Sequence, residues 1–123
     1  MPVRSLNSSV LKWPDRVAVD TSVRRWARAE AARRPDVVAV GYYGSYARGD
    51  WGVGSDVDLI AVVEASAQPF ETRATAWDAT SLPVPADLSV YTSEEWRGMA
   101  ARDDRFARTL AREAVWVFGA PLR

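Results

Sequence analysis

Along this chain the spacing of apolar residues switches between helical and strand periods several times, and each switch marks an element. From Asp20 or Thr21, either of which suits an N-cap, Val23, Trp26, Ala27, Glu30 and Ala31 follow helical spacing, and Arg33, Arg34 and Pro35 close the segment. Residues 37–43 are β-branched and aromatic between Pro35 and Gly44, which predicts a buried strand. A short helical turn over 45–48 and a glycine-rich loop over 49–55 follow. The apolar run 57–63 predicts a second strand covered on both faces. Pro69 suits the first turn of a helix reaching about Ala79, stopped by Pro83 and Pro85. Alternation over 86–91 puts Asp87, Ser89 and Tyr91 on one face of a third strand, with Leu88 and Val90 on the other. Thr92 and Glu95 form a capping box, Asp103 or Asp104 opens a further helix to about Glu113, and 115–118 is a last short strand.

This order predicts an α/β (α+β) fold, a small mixed sheet flanked by helices. At 123 residues one domain must hold the whole function: 1–19 reads as an arm or short helix and 20–123 as the domain. With 48% hydrophobic and 26% charged residues the composition is that of a folded protein. No apolar run is long enough for a membrane span, and the N-terminus lacks the features of a secretory signal, so a cytoplasmic location is expected. Basic and acidic residues balance at 16 each, so duplex nucleic acid is not the expected partner. All the basic residues but Lys12 are Arg, which is first a matter of genome composition and only second a phosphate-binding surface.

Absences narrow the chemistry further. Without Cys or His there is no thiol nucleophile, no Ser-His-Asp triad and no conventional zinc site. Any metal must be a hard cation held by oxygen. Asp56 and Asp58, two apart where a strand begins, point to one face, and Asp87 near the start of another strand can join them. Three converging carboxylates suit two Mg²⁺ ions, about 3.5 to 4 Å apart as in other two-metal sites, serving an in-line displacement at phosphorus. Gly44 and Ser45 sit where a strand gives way to a helical turn, so backbone N–H groups and the Ser hydroxyl can meet phosphate oxygens there. Arg48, one turn on, adds a planar donor.

Each part alone is commonplace, since Asp and Gly-Ser are ordinary turn residues. Their joint order is not. Gly44-Ser45-Tyr46-Ala47-Arg48-Gly49, then Ser55-Asp56-Val57-Asp58-Leu59, then Ala86-Asp87-Leu88-Ser89, with ten residues between Ser45 and Asp56, resembles the signature of the DNA polymerase beta nucleotidyltransferase superfamily. The resemblance runs from about Val37 to Tyr91 and is strongest to its minimal nucleotidyltransferases, often encoded beside a HEPN ribonuclease toxin. It implies that Asp56 and Asp58 bind both metals, that Asp87 binds the one that activates the acceptor hydroxyl, and that Gly44 and Ser45 hold the nucleoside triphosphate. It also implies an antitoxin that transfers AMP from ATP to a tyrosine of its HEPN partner. So short a chain would leave half of any cleft to a partner chain or a second copy. The alternatives are an antitoxin acting by binding alone, and transfer to a small molecule of the aminoglycoside type, which normally needs a further acceptor-binding domain or dimer groove.

Other residues have plainer expectations. Trp51 is first a loop-packing residue and only second a base-stacking one. Trp26, Trp77, Trp96 and Trp116 are expected in the core, Tyr46 packed, and Asp50 capping or solvated. Arg102, Arg105, Arg108 and Arg112 read as a solvated helix face, and Gly49, Gly52 and Gly54 lack the order of a dinucleotide fingerprint.

Overall fold

The structure, a computed structural model, describes residues 13–121. The element order is α1 (Arg16–Arg33), β1 (Val37–Tyr43), α2 (Ser45–Arg48), β2 (Val57–Val63), α3 (Phe70–Arg73), a 3₁₀ turn (Ala74–Ala76), β3 (Ala86–Thr92), α4 (Ser93–Arg102), α5 (Arg105–Glu113) and β4 (Val115–Gly119). The strands form one sheet in the order β3-β2-β1-β4. β1 is antiparallel to β2 and β4, and β2 is parallel to β3, so the sheet is mixed as the sequence predicts.

Two elements differ from expectation. The first helix begins at Arg16, ahead of Asp20, because the Asp15 side chain accepts a hydrogen bond from the Ala18 backbone N–H at 2.9 Å and caps it there. The expected arm over 1–19 therefore ends in helix, and its first twelve residues lie outside the described ones. Likewise, the helix expected from Pro69 to about Ala79 stops at Arg73 and runs only to Ala76 as a 3₁₀ turn. Here tertiary contacts outweigh propensity: Trp77 packs on Trp26 with ring centroids 5.8 Å apart, and the Trp26 indole N–H donates to the Asp78 carbonyl at 2.8 Å. Both contacts need an extended chain at Trp77.

Strand alternation divides the core in two. Val40 and Tyr42 of β1, Val57, Leu59, Ala61 and Val63 of β2, and Val90 of β3 face α1, where they meet Val19, Val23, Trp26 and Ala27. The opposite face is covered by α4 and α5 and holds a smaller cluster of Ile60, Met99 and Leu110, flanked by Tyr43, Tyr91, Trp96, Phe106 and Trp116. Gly41 belongs to this second face. A Cβ there would lie 2.8 Å from the Trp116 ring and 2.7 Å from the Val115 carbonyl, so its absence lets the indole lie across the strand.

Polar ties hold the helices in place. The Thr92 and Glu95 capping box forms as predicted, and Glu95 also pairs with buried Arg73 at 2.6 Å. Arg73 further donates to the Gln68 and Val90 carbonyls, which binds α3 to β3 and α4. Glu30, fully buried on α1, is matched by Arg33 and by Arg34 Nε at 3.0 Å.

Candidate active site

The α5 side of the sheet carries the chemistry at one end. Asp58 and Asp87 are direct partners in the parallel β2/β3 pairing, and Asp58 is also opposite Tyr43 of β1. These three side chains stand on one face, since all fall on the parity opposite to the α1-facing residues. Asp56 lies just before β2 and is exposed, Asp87 is exposed, and Asp58 is partly buried between them.

The charge in this patch is poorly compensated. Burial, then the negative charges of Asp87 and Asp56, raise the Asp58 carboxyl above the usual carboxylate range, with Arg48 opposing and Glu113 adding to them. Tyr43 is pushed up to about 12 by burial and by the charges of Asp58, Asp87 and Glu113.

The Gly44 turn closes against Asp58. Gly44 has a φ of 81°, and a Cβ there would sit 2.1 Å from Asp58 Oδ2. Only glycine lets backbone and carboxylate come this close. Ser45 begins α2, and the Arg48 and Gly49 N–H groups bond back to the Gly44 and Ser45 carbonyls at 2.9 Å each. By helix geometry the N–H groups ahead of Arg48 in this turn lack intrahelical acceptors. Thus backbone N–H groups without helical partners and the carboxylate pair adjoin.

Arg48 is held by acidic side chains. Its Nε donates to Asp50 Oδ2 at 3.1 Å and its Nη1 to Glu113 at 3.2 Å, so Asp50, expected only as a cap or a solvated charge, is an ion-pair partner. Sequence reading missed Glu113 and Tyr43 as neighbours of the site. Tyr43 was legible only as a strand residue, and Glu113 arrives because the end of α5 meets Arg48 of the α2 turn, which no local spacing encodes.

As the side chains stand, no three acidic groups among the described residues are drawn together closely enough to hold one ion between them. Asp58 and Asp87 adjoin in register while Asp56 stands at the exposed lip. The donor set is nonetheless that of a hard divalent cation, all carboxylate oxygen with excess negative charge. Trp51 stacks on Tyr46 with centroids 5.6 Å apart and planes 7° apart, and the Tyr46 hydroxyl donates to the Pro14 carbonyl at 2.9 Å, so both pack as expected.

Fold and carboxylate face together define a nucleotidyltransferase domain. The chain belongs to the nucleotidyltransferase domain family, whose model matches residues 24–117. No curated protein matches the chain. Among solved structures it is similar to a protein from Sulfolobus solfataricus described as a nucleotidyltransferase, with a TM-score of 0.58 and 19% identity over 82% of this chain and 80% of that one. At that identity the likeness is one of fold. A toxin-antitoxin structure with AMP-PNP has a TM-score of 0.48 and 14% identity over 82% of this chain and 73% of that one. A toxin-antitoxin MntA-HpeT mutant gives 0.45 and 11% over the same shares.

Proposed function

We propose that this chain transfers AMP from ATP to a hydroxyl of a protein, a tyrosine of a HEPN-type toxin, and thereby acts as its antitoxin. The observation that carries the reading is the juxtaposition of the Asp58 and Asp87 pair with the Gly44 turn, where Asp58 Oδ2 lies 2.1 Å from the position a Cβ would take. Asp56, Asp58 and Asp87 would hold two Mg²⁺ ions. Gly44, Ser45 and Arg48 would hold the triphosphate.

In this reading the acceptor oxygen attacks the α-phosphorus of ATP, a new P–O bond forms, and the bond to the leaving pyrophosphate breaks. The hydroxyl proton passes to solvent at the exposed rim. Bound Mg²⁺ supplies charge neutralisation for the phosphates and eases ionisation of the acceptor hydroxyl. The Gly44 turn orients the triphosphate by backbone donors, and the partly buried Asp58 keeps its place because backbone and sheet confine it.

A macromolecular acceptor suits the exposure of Asp56 and Asp87, which leaves the rim open to a broad partner surface. The sequence resemblance to minimal nucleotidyltransferases supplies the toxin. Among the described residues no helix is long and apolar enough to cross a membrane, and a cytoplasmic site of action is part of the proposal.

The test is incubation of the purified chain with labelled ATP, Mg²⁺ and the product of the adjacent gene, with an Asp56→Ala, Asp58→Ala double variant as control. Label on the partner tyrosine that vanishes with the double variant is the expected result. A stable complex without transfer would replace enzymology with neutralisation by contact, and transfer to a small molecule alone would remove the protein acceptor.

A further inference from the structure

Arg48 and Glu113 are 65 residues apart in the chain and meet where the end of α5 reaches the α2 turn. Nη1 of Arg48 donates to Glu113 Oε1 at 3.2 Å and Oε2 at 3.4 Å, while Nε donates to Asp50 Oδ2 at 3.1 Å. The two carboxylates are unlike. The Glu113 side chain is 14% exposed and that of Asp50 60%, so Glu113 is the sheltered anchor and Asp50 an outer stay.

This pair sits beside the chemistry. Arg48 ends the four-residue α2 turn whose capping residue, Gly44, lies against Asp58, with a Cβ there 2.1 Å from Oδ2. A guanidinium offers five N–H donors in a rigid fork. Glu113 and Asp50 engage Nη1 and Nε, and Nη2 has no partner among the described residues. An arginine held on one side keeps donors for an anion on the other. It also loses less side-chain freedom when that anion arrives.

We propose that Glu113 is a positioning residue that fixes Arg48 so that its Nη2 meets a phosphate oxygen of the bound nucleoside triphosphate. The inference rests on the nucleotide site proposed above. Glu113 touches no substrate in this account. It sets the affinity for the triphosphate through Arg48, so its effect must disappear once Arg48 is gone.

The experiment is calorimetric titration of the full chain with MgATP for wild type, Glu113→Gln, Arg48→Ala, the double variant and Glu113→Asp. Glu113→Gln should weaken binding by about tenfold and Arg48→Ala by at least as much, with the double variant no weaker than Arg48→Ala alone. Glu113→Asp keeps the charge and shortens the reach by one methylene. It should recover part of the loss, and it answers the same question if Glu113→Gln fails to fold. Wild-type affinity in Glu113→Gln, or losses in the double variant that simply add, overturns the positioning role and leaves the site reading standing. Wild type that does not bind MgATP overturns both, and that result needs no variant.

Discussion

Tyr42 and Tyr43 are neighbours on one strand and live in opposite worlds. Tyr42 faces α1, is fully buried, and donates its hydroxyl hydrogen bond to Asp20 Oδ2 at 2.7 Å. Tyr43 faces α5, is partly exposed, and lies among Asp58, Asp87, Tyr91 and Glu113. The carboxylates differ in the same way. Burial would raise Asp20, but hydrogen bonds from Arg24 and Tyr42 overcome it and hold the carboxyl below its ordinary value of 3.8, whereas Asp58 is raised by burial and by Asp87 and Asp56 against the opposing charge of Arg48. One face satisfies its polar groups and stabilises the fold; the other gathers like charges around Asp58.

If the two faces divide the labour in this way, adjacent substitutions should separate activity from stability. The largest effect is expected for Asp58→Ala, which should cut nucleotidyl transfer on the order of 10³-fold or more while the melting temperature holds or rises, because like-charge repulsion is relieved. Labelled-ATP transfer and a thermal melt on the same sample check both halves. Its neighbour Leu59, fully buried on the α1 face, should show the reverse: Leu59→Ala costs about 2–5 kcal/mol in a denaturant melt and leaves the site chemistry in the remaining folded protein.

Gly44→Ala falls between them. A side chain at φ 81° and ψ −152°, a region open almost only to glycine, costs about 1–3 kcal/mol, and the new methyl must displace the Asp58 carboxylate, so stability and transfer drop together. Smallest is the tyrosine pair. Tyr42→Phe removes a donor from Asp20 and should cost about 1 kcal/mol, whereas Tyr43→Phe should stay within about 0.5 kcal/mol. A pH series sharpens this contrast. The folded value of Asp20 lies below 3.8, so its contribution is present above that pH and is lost as pH falls through the folded value; Tyr42→Phe should flatten this acid loss. Equal acid profiles would break the assigned link between Tyr42 and Asp20.

The elements that the sequence foretells best are those coded by neighbours in the chain. Alternation placed Asp87, Ser89 and Tyr91 on one face of β3, and Thr92 with Glu95 announced the capping box, because both signals lie within a few residues. The pairing of Asp58 with Asp87 was anticipated as convergence, but its register is a property of the parallel sheet. What the local pattern does not hold is what distant packing decides. The helix after Pro69 ends early because Trp77 is drawn to Trp26, and the first helix starts early because Asp15 caps it before Asp20 can. Glu113 could be read as a helix end, yet not as the partner of Arg48 across 65 residues.

The central claim is that the exposed end of the α5-side face receives a metal-bound nucleoside triphosphate. A crystal structure of the chain grown with Mg²⁺ and a non-hydrolysable ATP analogue tests it most directly. The account predicts phosphates seated on the Gly44 and Ser45 turn, with Asp56 drawn in beside Asp58 and Asp87 around the ions. Nucleotide bound elsewhere, or a carboxylate face that stays without ligand at saturating analogue, would contradict it.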